Sequence, residues 1–318
     1  MGDARRTVAQ LCRETGLSKE FSARVSLVTT ELARNLAIHT PGGEILAKVL
    51  ENSPEPGVEI MALDTGPGIR NIGESLRDGH STAGTAGNGF GCIRRLSQQF
   101  EIFSQLNAGT AVLVRLYTDK IPAREAFEVG GVSIAVDGET LCGDAWDYKN
   151  LADGLRMTMV DGLGHGYFAH EAAMRAKELF RQKLHAPQED LMRSLDDELR
   201  GTRGAVLALA RVDLAAETVY SVGVGNISMR LLNDSGTRSM ISENGTLGAG
   251  ARRIREYSYP WSRDSILVMH SDGVSANWSL DRYPGLSLRH PSLIAGIIYR
   301  DQHRERDDAT IAVARQAS

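Results

Sequence analysis

The N-terminal part of the chain shows apolar spacings of two kinds, helical and strand-like. After Ser18, apolar side chains recur every three or four positions, which predicts a helix that Ser18 caps and that runs to about His39. The recurring positions are Phe21, Val25, Val28, Leu32 and Leu36. Beyond the break PGGE, the segments EILAKVL and GVEIMAL predict two strands, and the second strand ends at Asp64.

A stretch rich in Gly, Ser and Thr, GHSTAGTAGNG, separates these strands from a second amphipathic segment. In FGCIRRLSQQF, the residues Phe90, Ile93 and Leu96 stand at helical spacing and predict a short helix. EIFSQL and GTAVLVRLY then predict a hairpin that closes the region near Tyr117. Together these elements predict a compact α+β unit.

The pattern changes after a polar segment that contains a proline, TDKIPAREAFEVGG. We therefore predict a first domain over residues 1–118, a linker over 119–131 and a second domain over 132–318. In the second domain, strand-like runs surround two helices predicted at about 168–184 and 189–200. The runs are VSIAVDG, LRMTMVDG, GAVLALARVD, TVYSVGVG, SMRLLND, SILVMHSDG and ATIAVAR, with a short helix, PSLIAGIIYRD, before the last. This order predicts a β-sandwich flanked by helices.

Composition narrows the functional class. A chain of 318 residues, 42% hydrophobic and 24% charged, is typical of a soluble protein of two domains. The net charge of −4 disfavours binding of nucleic acid through a large basic surface. No apolar run approaches the ~20 residues of a membrane span, and the N-terminus lacks a signal-peptide core. The cysteines Cys12, Cys92 and Cys142 have no metal-binding spacing, which predicts structural thiols in a reduced, cytoplasmic protein. We expect neither a nucleic-acid partner nor a membrane.

Two polar residues share one face of the first predicted helix. Glu31 and Asn35 lie four positions apart in ELARN, beside the apolar stripe. A carboxylate and an amide placed in this way can activate a hydroxyl group and hold Mg²⁺ through oxygen. Taken alone, the pair is more typical of a solvated helix flank.

The segment DTGPGI follows the second predicted strand. The carboxylate of Asp64 could accept a hydrogen bond from an exocyclic amine such as that of adenine, and Gly66 and Gly68 would let the backbone approach the base. Glycine and proline also punctuate ordinary turns. Downstream, STAGTAGNGFG opens into a helix, and such a loop can bind phosphate through backbone N–H groups. A glycine-rich loop by itself is weak evidence.

Taken in order, ELARN, DTGPGI, the glycine-rich segment and GTAV resemble the GHKL ATPases, and more closely the RsbT-like serine kinases of bacterial sigma-factor control. The resemblance spans about residues 5–117. It implies a GHKL-type α/β sandwich that uses ATP and Mg²⁺, with Glu31 as the general base and Asn35 as a Mg²⁺ ligand. It also implies nucleotide-binding roles for Asn35, Asp64, Gly66, Gly68, Gly87, Gly89, Gly91 and Thr110.

Several aspartates of the second half stand at or near predicted strand ends, far apart in sequence. They are Asp144, Asp161, Asp272, Asp307 and Asp308. Carboxylates gathered at strand ends suit hard divalent cations such as Mg²⁺ or Mn²⁺. Two such ions can activate a water molecule and bind a phosphoryl group. At any single position, aspartate beside glycine is more typical of a turn between strands.

The order of CGDAWD, VDGLGHG, RGAVLALARVD, VMHSDGV and RDDATIAVA resembles the metal-dependent PPM phosphatases, in their SpoIIE-like and RsbX-like branch. The resemblance spans about residues 132–315. It implies that Asp161 is catalytic and bridges two metal ions, and that the Gly162 carbonyl is a further ligand. Asp144, Asp272 and Asp307 would complete the metal-binding set.

Other residues beside this set have more than one interpretation. We interpret Asp147 and Asp308 as neighbours of the ligands rather than ligands. His165 is a candidate general acid, but we favour a role in the loop. We favour a core role for Cys142 over a catalytic one. Arg203, in TRGA, is equally consistent with a contact to the substrate phosphate and with a surface position.

The two resemblances imply a bifunctional regulator of a bacterial partner-switching pathway. One half would phosphorylate a serine or threonine of a STAS-domain partner, and the other would remove such phosphates. The partner would be an anti-sigma antagonist or a stressosome protein, with a downstream phosphatase or sigma-pathway regulator as a further candidate. Two alternatives stay open: an active phosphatase with a non-catalytic ATP- or partner-binding N-terminal module, and an anti-sigma factor that sequesters a sigma subunit.

Overall fold

The computed structural model describes residues 2–76, 89–251 and 253–317, which fall into two compact units. The first unit comprises Met1–Ala123 and Leu280–Arg289. The second comprises Arg124–Ser279 and His290–Ser318. No helix within the described ranges has the length and apolar content that a membrane crossing requires.

The first unit contains a four-stranded antiparallel sheet with the strand order β1-β2-β4-β3. Its elements are α1 (Gly2–Glu14), α2 (Lys19–His39), β1 (Gly43–Val49), β2 (Gly57–Asp64), α3 (Ile72–Ser75), α4 (Gly89–Leu96), β3 (Gln99–Ser104) and β4 (Thr110–Tyr117). Ser18 caps α2, because its hydroxyl accepts a hydrogen bond from the backbone N–H of Phe21. The sequence-based helix, strands and hairpin of this region are therefore confirmed.

Helices α1, α2 and α4 share a core with the sheet. The buried apolar residues of this core are Val8, Cys12, Phe21, Val25, Val28, Leu32, Val58, Ile60, Ala62, Ile93, Ile102, Val112, Val114 and Leu116. Helix α1 was not predicted, although Val8, Leu11 and Cys12 stand at helical spacing in the sequence. Val8 and Cys12 are buried against this core, and this packing stabilises the helix.

The second unit is a sandwich of two five-stranded antiparallel sheets. Its elements are β5 (Phe127–Ile134), β6 (Asp144–Leu151), β7 (Gly154–Gly162), α5 (Tyr167–Gln182), α6 (Gln188–Glu198), β8 (Ala205–Asp213), β9 (Thr218–Val224), β10 (Ser228–Asn233), β11 (Gly236–Ser239), β12 (Tyr257–Pro260), β13 (Ile266–His270), α7 (Pro291–Gln302) and β14 (Ala309–Gln316). The strand orders are β11-β10-β13-β14-β5 and β12-β9-β8-β7-β6. Apolar side chains of both sheets form one core, and α5 and α6 cover the second sheet from its other side.

Strand β5 begins at Phe127, inside the range 119–131 that the sequence predicts as a linker. The prediction is wrong there, because Phe127 and Val129 are buried and the strand pairs with β14 along its whole length. The short strands β11 and β12 were also unexpected. Both lie at sheet edges, where backbone pairing with one neighbour defines the strand and little apolar periodicity is needed.

Candidate functional site

A pocket of about 690 Å³ opens in the first unit. Among its lining residues are Glu31, Asn35, Asp64, Gly68, Gly89 and Thr110, all named from the sequence as candidate kinase or nucleotide-site residues. Helix α2 supplies Glu31 and Asn35 from consecutive turns of one face. The end of β2 supplies Asp64, and the first residue of α4 is Gly89. The tertiary structure thus brings together residues from four separate motifs, with Thr110 at the start of β4 as the fourth contribution.

Asp64 is buried and organises the turn that follows it. Its Oδ1 accepts hydrogen bonds from the backbone N–H groups of Gly66, at 2.8 Å, and Thr110, at 3.2 Å. The hydroxyl groups of Thr110 and Ser104 lie 2.9 Å apart. This carboxylate therefore ties β4 to the DTGPGI turn and is fixed at the pocket wall.

Asn35 has a hydrogen-bonding group without a protein partner. Among the described residues, its buried Nδ2 finds no hydrogen-bond acceptor. A buried amide donor left unpaired costs about 1–3 kcal/mol. The Asn35 Oδ1 lies 3.1 Å from the position that a Cβ atom on Gly89 would occupy, so a side chain at Gly89 would crowd the amide. A polar ligand in the pocket could complete the hydrogen bonding of Asn35.

Two other predicted glycines, Gly66 and Gly91, do not line this pocket. Gly66 is held by its hydrogen bond to Asp64 and does not line the pocket. Gly91 is buried within α4 and also does not line it. Gly87 lies outside the described residues.

The pocket includes residues that the motifs did not single out. They are Arg34, His39, Thr40, Arg70, Asn71, Glu74, Phe90 and Cys92, among others. Arg70 directly follows DTGPGI, and Arg34 lies within ELARN. The closeness of these residues to a motif in the sequence was therefore the feature that could have suggested them as pocket residues. The sequence alone could not show which side chains face the cavity.

The backbone at Gly68 has a conformation and a close contact that require glycine, and substitution tests this requirement. It has φ of +71°, and a Cβ atom there would lie 2.2 Å from the carbonyl oxygen of Gln105. We expect Gly68→Ala to lower the free energy of unfolding by more than the about 1–2 kcal/mol that left-handed backbone costs a side chain. Gly16 is the matched control, because it also has φ of +71° but open space around its Cβ position. Equal losses for the two alanine variants in urea unfolding would contradict the steric argument.

The second unit gathers carboxylates at one set of strand ends. Asp144, the first residue of β6, stands opposite Asp161 near the end of β7. Asp272 follows β13, and Asp307 precedes β14, the strand that pairs with β13. The order of the strands within the two sheets thus places these residues near one another.

The carboxylates of this cluster raise one another's pKa. Burial and then the charges of Asp272 and Asp307 raise the pKa of Asp161 to about 7. Burial and then the charge of Asp161 raise the pKa of Asp144 well above its usual range. Burial and then the charge of Asp272 raise the pKa of Asp307. The cluster therefore holds excess negative charge that a cation would neutralise.

Donor chemistry in this cluster fits Mg²⁺ or Mn²⁺, since all its side-chain donors are carboxylate oxygens. The carboxylates of the cluster are not arranged as the ligands of a bound metal ion are. Over residues 2–76, 89–251 and 253–317, no three His, Cys, Asp or Glu side chains are arranged as a ready set of ligands. Metal binding would require these side chains, which already interact electrostatically, to converge on the ion.

Hydrogen bonds orient two of the carboxylates, and the sequence did not single out their donors. The Ser271 hydroxyl donates to Asp144 Oδ2 at 2.6 Å and accepts from the backbone N–H of Thr310 at 3.1 Å. The Asn226 amide donates to Asp272 Oδ2 at 2.8 Å. Ser271 lies within the quoted segment VMHSDGV, and Asn226 directly follows the predicted strand TVYSVGVG. Their positions at the ends of predicted strands were the signal available from the sequence.

Two further aspartates of this region form hydrogen bonds and an ion pair with neighbouring protein groups. The two oxygens of Asp308 accept hydrogen bonds from the backbone N–H groups of Val136 and Gly143, each at 2.7 Å. Asp147 accepts from the N–H of Tyr148 and pairs with Arg181 of α5. These contacts support the interpretation of both aspartates as neighbours of the ligands.

Gly162 lies at a close approach between α5 and β7. A Cβ atom at this position would stand 2.2 Å from the carbonyl oxygen of Ala169. Only glycine therefore allows the helix to pack directly behind Asp161. The backbone N–H of Gly162 donates to the carbonyl of Gly143 at 3.1 Å, which fixes the chain beside the cluster.

The neighbouring histidines and cysteine differ in exposure and in their hydrogen-bond partners. His165 is exposed, and its Nδ1 lies 2.8 Å from Glu139 Oε1. Burial lowers the pKa of His270 to about 4, and its ring lies between the Ser271 carbonyl and the indole N–H of Trp278. Burial and then the charge of Asp144 raise the pKa of Cys142 to about 12, so its thiol is a poor nucleophile at neutral pH.

The raised pKa of Asp161 predicts a pH dependence of stability in EDTA. Between the unfolded value of about 4 and the folded value of about 7, the folded protein keeps a proton that the unfolded chain releases. The contribution of Asp161 to the free energy of unfolding therefore falls as pH rises through this window. Urea unfolding across this range should show a more negative slope for the wild type than for Asp161→Asn. Identical slopes would contradict the charge crowding around Asp161.

Comparison with known proteins gives one family match and two curated relatives. Residues 152–316 match the family of stage II sporulation protein E (SpoIIE). The serine/threonine-protein kinase RsbT of Bacillus subtilis is 32% identical over 109 residues, which cover 34% of this chain and 82% of RsbT. The phosphoserine phosphatase RsbX of the same organism is 22% identical over 140 residues, 44% of this chain and 70% of RsbX.

Two solved structures share the fold of the larger part of the chain. A chain from a structural study of the bacterial stressosome is 29% identical, with a TM-score of 0.57, over 60% of this chain and 100% of that one. RsbX in complex with magnesium is 18% identical, with a TM-score of 0.56, over 62% of this chain and 99% of that one. The chain therefore belongs to the SpoIIE family through its C-terminal half and is related to RsbT in its N-terminal part.

Proposed function

We propose that the chain is a bifunctional cytoplasmic regulator of a bacterial stress or sigma-factor pathway. Its first unit would transfer the γ-phosphoryl group of ATP to a serine or threonine of a STAS-domain partner. Its second unit would hydrolyse phosphoserine or phosphothreonine on such partners. The observation that carries the proposal is that each unit gathers the separate motifs of one activity at one place, the pocket around Asn35 and the cluster around Asp161.

In the proposed kinase reaction, the hydroxyl oxygen of the partner would form a bond to the γ-phosphorus of ATP while the bond from that phosphorus to ADP breaks. Glu31 would accept the proton that the hydroxyl group loses. Asn35 would hold Mg²⁺, and this assignment is supported by its location with Glu31 on one helix face that lines the pocket. Asp64, fixed by the N–H groups of Gly66 and Thr110, would accept a hydrogen bond from the adenine amine. The relationship to RsbT supports this assignment.

In the proposed phosphatase reaction, Asp144, Asp161, Asp272, Asp307 and the Gly162 carbonyl would hold the divalent cations. Bound Mg²⁺ or Mn²⁺ supplies an activated water and neutralises charge on the phosphoryl group. The protein's own contribution is orientation: Ser271 holds the carboxylate of Asp144, and Asn226 holds that of Asp272. No nucleophilic side chain is required, which agrees with the high pKa of Cys142.

A reconstituted assay tests both activities in the full chain. The protein is incubated with a STAS-domain partner and radiolabelled ATP with Mg²⁺ or Mn²⁺, and label incorporation and release are followed separately. Phosphorylation of the partner, and metal-dependent release of phosphate from it, are the expected results. Release without incorporation would favour the alternative in which the first unit only binds a nucleotide or partner. A sigma subunit as the main protein bound, with neither activity, would favour the anti-sigma alternative.

A further inference from the structure

An aromatic and cationic patch lies beside the carboxylate cluster of the second unit. We define the 163–203 patch as Leu163, Tyr167, Phe168 and Arg203. Gly162 pairs with Ala205 across β7 and β8, and the backbone N–H of Leu163 donates to the carbonyl of Gly204 at 3.1 Å. The patch therefore starts one residue after the proposed ligand Gly162 and includes the residue just before Gly204.

The apolar members of the patch are exposed although the fold buries their neighbours. The exposed fractions are 57% for Phe168 and 64% for Tyr167, whereas Ala169 and Ala172 of the same helix are fully buried. The two rings pack edge to face with centroids 5.5 Å apart, so they form one aromatic surface. The core beneath α5 is made by its alanine face, and the aromatic pair lies outside that core.

Arg203 is held over this surface with its donors available. Its Cζ lies 5.3 Å from the centroid of the Phe168 ring, a cation–π contact. The guanidinium forms no salt bridge or hydrogen bond with any of the residues that the structure describes. A planar guanidinium with free N–H groups matches two oxygens of a phosphate, and its contact with Phe168 reduces the entropy lost on binding.

Gly164 leaves room for this arginine. It has φ of +83°, and a Cβ atom there would stand 3.0 Å from Arg203 Nη1. A side chain at Gly164 would thus both strain the turn and press on the guanidinium. The loop that follows Gly162 is shaped around Arg203.

We propose that the 163–203 patch is the substrate-docking site of the phosphatase. Arg203 binds oxygens of the phosphoserine or phosphothreonine phosphate beside the carboxylate cluster. Tyr167, Phe168 and Leu163 contact an apolar side chain of the substrate next to the phosphorylated residue. The inference rests on the proposed phosphatase function and adds the substrate class, a phosphorylated segment with an apolar neighbour.

The test compares two phosphoserine peptides that differ only in Leu or Gly beside the phosphoserine, hydrolysed by the full chain with Mn²⁺. Arg203→Ala should raise KM for both peptides about tenfold, the loss of one charge-assisted contact. Phe168→Ser should raise KM for the Leu peptide by a larger factor than for the Gly peptide, because it removes the apolar contact of the Leu side chain in addition to the ring that holds Arg203. Arg203→Lys should fall between the wild type and Arg203→Ala, because it keeps the charge without the planar fork. Arg175→Ala and Met174→Ala are matched controls on the exposed side of α5.

A direct binding measurement tests the docking site without relying on hydrolysis of the peptide. In the Asp161→Asn background, fluorescence anisotropy of the labelled Leu peptide should show the same losses of affinity for Arg203→Ala and Phe168→Ser. If the wild type hydrolyses the peptides but the patch variants leave both KM and affinity unchanged, the docking site is refuted and the phosphatase function stands. If the wild type neither hydrolyses nor binds any phosphopeptide, both proposals are refuted.

Discussion

Asp161→Asn should abolish metal-dependent hydrolysis of a phosphoserine peptide by the full chain. Asp161 lies at the centre of the carboxylate cluster, with Asp144 opposite it in register and the charges of Asp272 and Asp307 acting on it. Asparagine keeps the size of the side chain but removes the charge that would bind cations. Metal ions supply several kcal/mol of charge stabilisation in such reactions, so the expected loss in kcat/KM is on the order of a thousandfold.

The same substitution should not unfold the protein. Removing one of several mutually repelling carboxylates relieves charge crowding, so the unfolding midpoint in EDTA at neutral pH should rise. Addition of Mn²⁺ should raise the midpoint of the wild type more than that of the variant, because binding to the folded state stabilises it. Asp153→Asn is the control, since Asp153 is exposed in the turn between β6 and β7 of the same hairpin. Full activity in Asp161→Asn would remove the basis of the phosphatase assignment.

Glu31→Gln should suppress phosphorylation of a STAS-domain partner while leaving nucleotide binding largely intact. Glutamine preserves the shape of the pocket wall beside Asn35 but cannot accept the hydroxyl proton. General-base catalysis contributes about 10²–10⁴-fold, and the phosphorylation rate should fall by that factor. Binding of a fluorescent ATP analogue, measured with the same protein, should change by less than about twofold, because a general base acts on the transition state more than on bound ATP.

Glu20→Gln is the matched control for this experiment. Glu20 is an exposed glutamate in the first turn of α2 and does not line the pocket. Its substitution should leave both phosphorylation and nucleotide binding unchanged. A Glu31→Gln protein that phosphorylates the partner at the wild-type rate would show that Glu31 is not the base. ATP binding without phosphorylation by the wild type would instead favour a nucleotide-binding module.

Much of the local structure could be predicted because it depends on neighbours in sequence. The apolar stripe and the cap at Ser18 define α2, and the alternation and turns around β1 and β2 define both strands. Helix α1 and the first residues of strand β5 were not predicted. Phe127 of β5 is buried in the sandwich core and the strand pairs with β14, which lies far away in sequence, so local periodicity does not report this burial.

For the candidate sites too, some features follow from the sequence and others only from the tertiary structure. The sequence by itself identified Glu31, Asn35 and Asp64 as polar residues beside glycine-rich turns, and the aspartates at strand ends as candidate metal ligands. Only the tertiary structure placed the polar residues around one pocket. It also brought Ser271 to Asp144 and set the guanidinium of Arg203 over the ring of Phe168. Spacing along the chain determines which residues share a helix face or end a strand, whereas strand order and long-range packing determine which charges and hydrogen-bond donors meet.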